Sequence, residues 1–293
     1  MRQRLLGCTG LAVSAVALGA GHVGAPDQAE ADVERLVHRA LDLGVNLLDT
    51  ARSYGASEER LGRALAGRRD AVVISTKVGY GVPGHADWTG PAVTLGVEDA
   101  LRRLRTDRLD VVHLHSCPLE TLRRGEVVAA LEATVRAGKA RVAAYSGEGD
   151  ALEWAVRSGA FGSVQLSVNV CDQRALEGPV REARLRGLGV LAKRPLANAP
   201  WRFRERPTGH YAEVYWDRLR ALRLDPRGLP LPELFARFAA HAPGVASILL
   251  GTASPAHLEE AVRAVEAGPL PPELTAALRD AFLRAGEGWI GQV

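Results

Sequence analysis

Three short stretches carry side chains whose types suit proton transfer. "GVNLLDTARSYGASEERLGRAL" (44–65) drives through Val45, Leu47 and Leu48, stops on Asp49 and sets Tyr54 five residues later, just ahead of a helix-like segment. "ISTKVG" (74–79) places Lys77 at the end of an apolar run, and "DRLDVVHLH" (107–115) ends on His115. Composition sets the lysine apart, because the chain has 34 arginines and three lysines: Lys77, Lys139 and Lys193. A compact ammonium whose pKa moves with burial does what a guanidinium cannot. The bland alternative is a lysine stem that snorkels out from a strand end. A cation beside a phenol favours its ionised form and makes it a usable general acid. A carboxylate would hold that cation in place and charged, and a histidine would hydrogen-bond and orient the reacting oxygen. Asp49, Tyr54, Lys77 and His115 together suit delivery of a proton to a carbonyl while another agent delivers hydride.

These residues can act together only if the elements carrying them converge. Eight apolar runs recur along the chain: 11–19, 45–49, 71–76, 109–115, 140–146, 163–169, 189–193 and 245–251. Between and after them lie segments with apolar residues at three- and four-residue steps: 30–43, 57–67, 91–105, 122–137, 150–157, 174–186, 231–241 and 256–267. Near-continuous apolar strands alternating with helices imply a parallel sheet covered by helices. Eight of each predicts an α/β fold of the closed (β/α)8 TIM-barrel type, in which active residues sit at the C-terminal ends of strands. Those ends supply Asp49, Lys77, His115, Ser146, Gln165, Lys193 and the Gly251–Thr252 pair, with Tyr54 in the loop after Asp49. No linker or composition break divides the chain, so residues 1–293 read as one domain.

Composition narrows the function class. Hydrophobic residues make up 47% and charged residues 24%, as in a globular enzyme. The net charge of +3 is spread among acidic residues without a Lys/Arg block, so no nucleic-acid partner is expected. Cys8, Cys117 and Cys171 are odd in number and lack CxxC spacing, which points to a reducing compartment without structural disulfides. The opening "MRQRLLGCTGLAVSAVALGAG" has the basic start and apolar middle of a secretory leader. Its "GCTG" interruption and the strand-like "LAVSAVALGAG" favour a structural role instead. No other segment approaches the ~18 apolar residues of a membrane span, so no membrane partner is expected.

Two further features have competing readings. "HLH" (113–115) puts His113 and His115 on one face of a strand, the HxH arrangement of metal-dependent barrel hydrolases. Such a site needs further ligands on other strand ends, which the remaining histidines do not supply, so His113 is expected to be a core histidine and no metal is expected. The basic, aromatic segment 195–230 reads as a long loop over the cofactor and site, with Trp201, Arg202 and Arg204 as candidates to line it. Trp88, after the lysine strand, is a second candidate pocket wall, and Cys117 follows the histidine strand.

The stretches 44–65, 74–79 and 107–115 resemble the aldo-keto reductase superfamily, and the Asp–Tyr motif with its flanking SExxLG is specific. "RLLGCTGLAVSAVALGAG" is similar to that family's N-terminal β-hairpin and first strand. The resemblance covers nearly the whole chain, weakening over 194–230 and after 268. It implies a TIM barrel with long substrate and cofactor loops, a cytoplasmic setting and NAD(P)H-dependent reduction of a small-molecule carbonyl. It implies a catalytic tetrad of Asp49, Tyr54, Lys77 and His115, with Ser146 and Gln165 on the nicotinamide carboxamide. "LLGTASPAHLEEAV" matches the adenosine-phosphate segment, placing Gly251, Thr252, Ser254, His257 and Glu260 near the cofactor. Gly21, Lys193 and Leu196 complete that set, and Trp88 and Trp201 are the expected substrate-pocket walls. Departures are visible too: Gly147 replaces the asparagine after Ser146, Lys193 the aromatic residue that stacks on nicotinamide, His257 an arginine and Ala261 an asparagine. NADP(H) is the expected cofactor, with NAD(H) the alternative. The competing functional readings are a cofactor-binding regulatory or redox-sensing barrel with little turnover and, more distantly, the metal-dependent hydrolase.

Overall fold

In the computed structural model, which describes residues 1–292, the chain opens with an antiparallel hairpin of β1 (Gln3–Leu5) and β2 (Ala12–Ser14). Eight parallel strands follow: β3 (Val16–Gly19), β4 (Leu47–Asp49), β5 (Val73–Val78), β6 (Leu109–His115), β7 (Ala140–Ser146), β8 (Ser163–Ser167), β9 (Gly189–Lys193) and β10 (Ser247–Gly251). They close in the order β10-β3-β4-β5-β6-β7-β8-β9, with helices between successive strands. The expected (β/α)8 barrel with an N-terminal hairpin is the fold observed. Among the described residues, no helix is long and apolar enough to cross a membrane.

The run 11–19 is two strands because the chain turns a corner within it. Ser14 Oγ donates to the Val16 carbonyl at 2.7 Å, and Asn46 Oδ1 accepts from the Ser14 N–H at 2.7 Å, so polar groups at the bend stay paired. The hairpin then plugs the N-terminal mouth of the barrel. Leu6, Leu11 and Val13 are buried in one cluster with the inward-facing Ala17, Leu47, Val73, Val111, Val142, Leu191 and Leu249. Outward-facing Val16, Leu18, Leu48, Ile74, Val112 and Leu114 belong to a larger layer beneath the helices.

Glycines and aromatics account for the differences from the expected helices. Segment 122–137 is split by Gly125, at φ 82°, into helices Leu119–Arg124 and Glu126–Arg136. Segment 174–186 is split at Gly178 ahead of Pro179, into Arg174–Glu177 and Pro179–Leu185. The 195–230 stretch, expected as a loop, contains the helix Glu213–Leu222, which buries Tyr215, Arg218 and Leu222. A last helix, Pro272–Ala285, buries Leu274, Leu278, Ala281 and Phe282, an i, i+4, i+7, i+8 stripe.

Register puts the polar strand ends on one rim. Asp49 pairs with Ser75, Lys77 with His113, His115 with Ser146, Ser146 with Gln165 and Ser167 with Lys193.

The hairpin plug makes a stability prediction. Gly7 and Gly10 both hold left-handed backbone, at φ 56° and 74°. A Cβ at Gly7 would meet the Gly189 nitrogen at 2.3 Å, whereas at Gly10 it would meet nothing within 4 Å. Alanine at either costs about 1–2 kcal/mol for the left-handed conformation; at Gly7, overpacking adds about 1–3 kcal/mol. Denaturant unfolding should therefore show Gly7→Ala clearly less stable than Gly10→Ala, and equal losses would contradict the plug.

Candidate active site

The strand ends meet in a buried polar network centred on Asp49. Lys77 Nζ donates to Asp49 Oδ2 at 2.7 Å and to the Thr50 carbonyl at 2.7 Å. Asp49 Oδ1 accepts from Ser75 Oγ at 2.8 Å and from Gln165 Nε2 at 2.9 Å. Since Ser75 gives its proton to Asp49, its oxygen accepts from His113 Nε2–H at 3.0 Å. Ser146 Oγ donates to Gln165 Oε1 at 2.7 Å. Asp49, Lys77, Ser75, His113, Gln165 and Ser146 are each 3% exposed or less. A carboxylate taken this far from water needs its lone pairs met, and three donors meet them.

Tyr54 lies on this network's open side. Its ring centre is 4.8 Å from Lys77 Nζ, and it meets the His115 ring edge-on at 6.2 Å. The tyrosine is held by a locked turn: Thr50 Oγ1 donates to Ser57 Oγ at 2.8 Å, and Ser57 Oγ donates to the Ala20 carbonyl at 2.8 Å. Gly24 is needed beside it, since a Cβ there would lie 1.5 Å from the Tyr54 carbonyl oxygen. Gly21 faces the phenol itself; a Cβ there would come within 4.0 Å of the ring.

Burial sets the charge states. Burial pushes the Lys77 pKa down, but Asp49 and the Tyr54 oxygen outweigh it and hold the ammonium above its ordinary range. Burial, with Asp49 opposing and Lys77 assisting, lowers His113 to about 4. His115 falls to about 3 through burial and the nearby Lys77 and Lys193 cations. Both imidazoles are neutral at pH 7. Burial raises the Cys117 thiol to about 12, which makes it a poor nucleophile.

Sequence reasoning missed Tyr80. Its hydroxyl is 2.7 Å from His115 Nδ1, and the two rings stack at 5.5 Å. Trp88 meets Tyr80 edge-on at 5.6 Å and covers Gly79. The only signal was a tyrosine three residues after Lys77 in a glycine-rich loop. Trp201, by contrast, packs edge-on at 5.0 Å against buried Phe235 of the helix Leu231–Ala240. Also missed was the C-terminal segment, which crosses the rim near β8 and β9. Arg218 Nη2 donates to the Ile290 carbonyl at 2.7 Å, and Arg194 donates to that of Gln292.

The residues expected at the cofactor line the rim from β7 round to β10. Ser146 Oγ, having donated to Gln165, keeps lone pairs for an amide N–H, and Gln165 Nε2 has a second proton to give. This pair fits a nicotinamide carboxamide. Lys193 pairs with Glu148 at 3.2 Å, and burial lowers its pKa despite that partner. Leu196 packs partly buried in the loop after β9. Beyond β10, exposed Gly251 and buried Thr252 precede the helix Pro255–Glu266, whose N-cap Ser254 accepts from the His257 N–H at 3.4 Å. A helix N-terminus with unpaired N–H groups fits a phosphate, and His257 and Glu260 stand exposed on its first turns. Among the described residues, no group of three His, Cys, Asp or Glu side chains is placed to hold a metal ion.

Comparison with known proteins gives a consistent picture. The profile of the aldo/keto reductase family matches residues 15–282. L-galactose dehydrogenase of Arabidopsis thaliana is 28% identical over 279 residues, covering 89% of this chain and 87% of the relative. A protein of the same plant named "Probable voltage-gated potassium channel subunit beta" is 26% identical, covering 92% and 93%. Among solved structures, an aldo-keto reductase from Bacillus halodurans in its holo form superposes with a TM-score of 0.83 at 28% identity, covering 96% of each chain.

The depressed histidines predict an acid-side loss of stability. An unfolded histidine titrates near ~6.5, whereas His113 titrates at about 4 in the fold. Between these values the unfolded chain binds more protons, so stability falls as pH falls through that window and is unaffected by His113 above it. Asp172, raised to about 6 chiefly by burial, contributes with the opposite sign. His113→Asn leaves that contribution in place, so its unfolding free energy should depend on pH by close to one proton fewer than wild type near pH 5. Parallel pH profiles would contradict the assignment.

Proposed function

Since the chain belongs to the aldo/keto reductase family and is an oxidoreductase reducing carbonyl compounds with a nicotinamide cofactor, we propose that Tyr54 is the general acid of the reaction. The observation that carries this reading is the buried Lys77 ammonium, paired to Asp49 at 2.7 Å and lying 4.8 Å from the Tyr54 ring centre. When bound, the nicotinamide supplies the hydride. Tyr54 gives its proton to the carbonyl oxygen, and the Lys77 charge stabilises the phenolate left behind. Asp49 keeps Lys77 charged and oriented. His115, neutral, hydrogen-bonds the same oxygen and fixes the direction from which the carbonyl presents its carbon.

Ser146 and Gln165 hold the carboxamide, with Gly21, Lys193, Leu196 and Gly251 around the cofactor. Thr252, Ser254, His257 and Glu260 take the adenosine end. We favour NADP(H) on the helix N-terminus beyond β10. Trp88, beside Tyr80, and Trp201, anchored on Phe235 in the segment after β9, form walls of the substrate pocket. The barrel acts as one unit over residues 1–293, in the cytoplasm. One relative is named for L-galactose, so hydroxylated aldehydes head the substrate panel. Similarity to a protein named as a channel subunit favours a second reading, a cofactor-binding regulatory barrel. A complete Asp49–Lys77–Tyr54 assembly supports turnover over that alternative.

Tyr54→Phe keeps the ring and removes the proton, so kcat should fall by about 10²–10⁴-fold with cofactor affinity little changed. Lys77→Met should act in the same direction, Lys77→Arg should not restore activity, and the Tyr54/Lys77 double variant should be little worse than the worse single. Near-normal kcat in Tyr54→Phe, with chemistry shown to be rate-limiting, would reduce the tyrosine to a pocket wall.

Cofactor choice is read by fluorescence quenching with NADPH and NADH. One charge-assisted phosphate contact is worth about 1.5–3 kcal/mol, so NADPH should bind more tightly; clearly tighter NADH binding would reverse the assignment.

A further inference from the structure

His115 can serve the carbonyl oxygen only as a hydrogen-bond donor, so its neutral ring must carry the proton on the nitrogen facing the pocket. In a histidine, the partner of one nitrogen selects the state of the other. A carboxylate or carbonyl beside Nδ1 would accept and force Nδ1–H, leaving Nε2 a bare lone pair. Here the partner of Nδ1 is a phenol, Tyr80, at 2.7 Å, and a phenol can donate. Among the described residues, Tyr80 Oη has one other hydrogen-bond partner, Ser53 Oγ, at 3.2 Å. The 2.7 Å contact matches the length of a good O–H donor bond, and the 3.2 Å contact is long for one. Ser53 is exposed and free to turn its own hydroxyl proton toward Tyr80. Tyr80 has one proton for two contacts, and its hydroxyl can also give it to Ser53 Oγ; assigning it to the shorter contact sends it to His115 Nδ1 and leaves Ser53 to donate to Tyr80.

We infer that Tyr80 is a positioning residue for carbonyl reduction: its hydroxyl donates to His115 Nδ1 and so fixes the imidazole as the Nε2–H tautomer that faces the substrate oxygen. The inference rests on the reading of His115 as the group that touches that oxygen. Its ring, stacked on His115 at 5.5 Å and 27°, also fixes the plane of the imidazole. The loop geometry serves this placement. Gly79 turns the chain at φ 127°, and a Cβ there would lie 2.2 Å from the Trp88 ring, so the turn that lays Tyr80 over His115 needs glycine. Trp88 then buttresses Tyr80 from the other side. The charged groups acting on His115 are the Lys77 and Lys193 ammoniums, which disfavour a second proton on the ring. The tautomer, then, is the property left to be set, and Tyr80 sets it.

The test is ¹⁵N–¹H correlation of histidine-labelled protein at pH 7, with the His115 signals identified by their loss in His115→Gln. Wild type should show Nε2 protonated and Nδ1 bare. Tyr80→Phe, which keeps the stacked ring, should shift His115 to the Nδ1–H tautomer or a mixture. It should also lower kcat/KM roughly three- to tenfold, the effect of one neutral hydrogen bond, with cofactor Kd unchanged. In a His115→Gln background the same change should add nothing further. An Nδ1–H tautomer in wild type overturns the inference whatever the variants do, as does an unaltered tautomer in folded Tyr80→Phe. Normal turnover in His115→Gln, by contrast, overturns the catalytic reading of His115 and leaves the tautomer to the spectrum.

Discussion

A charge pair sealed inside a barrel is the constraint on which this molecule is organised. Lys77 and Asp49 are 2% and 3% exposed, and removing one partner of such a pair typically costs about 3–5 kcal/mol because the other charge is left buried alone. The pair is tolerated because everything around it is a hydrogen-bond partner. Ser75 and Gln165 donate to Asp49, the Thr50 carbonyl accepts from Lys77, and Ser146 and His113 satisfy Gln165 and Ser75 in turn. The network spans five strands or their ends, from β4 to β8. Displacing one strand would unpair several members at once, which is how a barrel holds a site to the tolerance that proton transfer needs.

The interior grades from apolar to polar along the barrel axis, and this gradient turns a fold into a site. Inward-facing positions run Leu47 to Asp49 on β4, Val73 to Ser75 to Lys77 on β5, Val111 to His113 to His115 on β6, and Val142 to Ala144 to Ser146 on β7. At the apolar end, the hairpin residues Leu6, Leu11 and Val13 close the mouth and bury it. At the polar end, loops from β3, β4 and β5 bring Gly21, Tyr54 and Tyr80 together around the one side of the network left open. The same rim, followed to β10 and the helix Pro255–Glu266, carries the Ser146–Gln165 pair and a helix N-terminus, the features proposed to hold the cofactor.

Much of this was legible because period-two strands write their two faces into the sequence. In "VISTKV" and "LDVVHLH" the inner face turns from apolar to polar along the strand, Val73 to Ser75 to Lys77 and Val111 to His113 to His115, so the barrel, the rim and the convergence of Asp49, Lys77 and His115 could be read directly. What escaped detection depended on backbone turns rather than periodicity. Tyr80 reaches His115 only through the left-handed Gly79, and Gly125 and Gly178 each broke a helix whose apolar pattern ran on unbroken. The helix Glu213–Leu222 was hidden because its aromatic and arginine residues also suit a loop, although Tyr215 and Arg218 prove buried. The helix Pro272–Ala285 did carry a readable stripe, and the passage of the C-terminal segment over the rim followed from arginine contacts to backbone carbonyls, which leave no side-chain signature of their own.

The central claim is that the Asp49–Lys77 charge pair, rather than either residue alone, equips Tyr54 to give up its proton. Single-turnover carbonyl reduction in Asp49→Asn, on protein shown to retain the native unfolding transition and to bind cofactor, tests it most directly. Asparagine keeps the size and hydrogen-bonding capacity of the side chain but leaves the buried ammonium unneutralised. The account predicts a rate reduced by roughly the factor seen in Lys77→Met, on the order of 10²-fold or more, with the two changes non-additive when combined. A near-wild-type single-turnover rate in Asp49→Asn would contradict it.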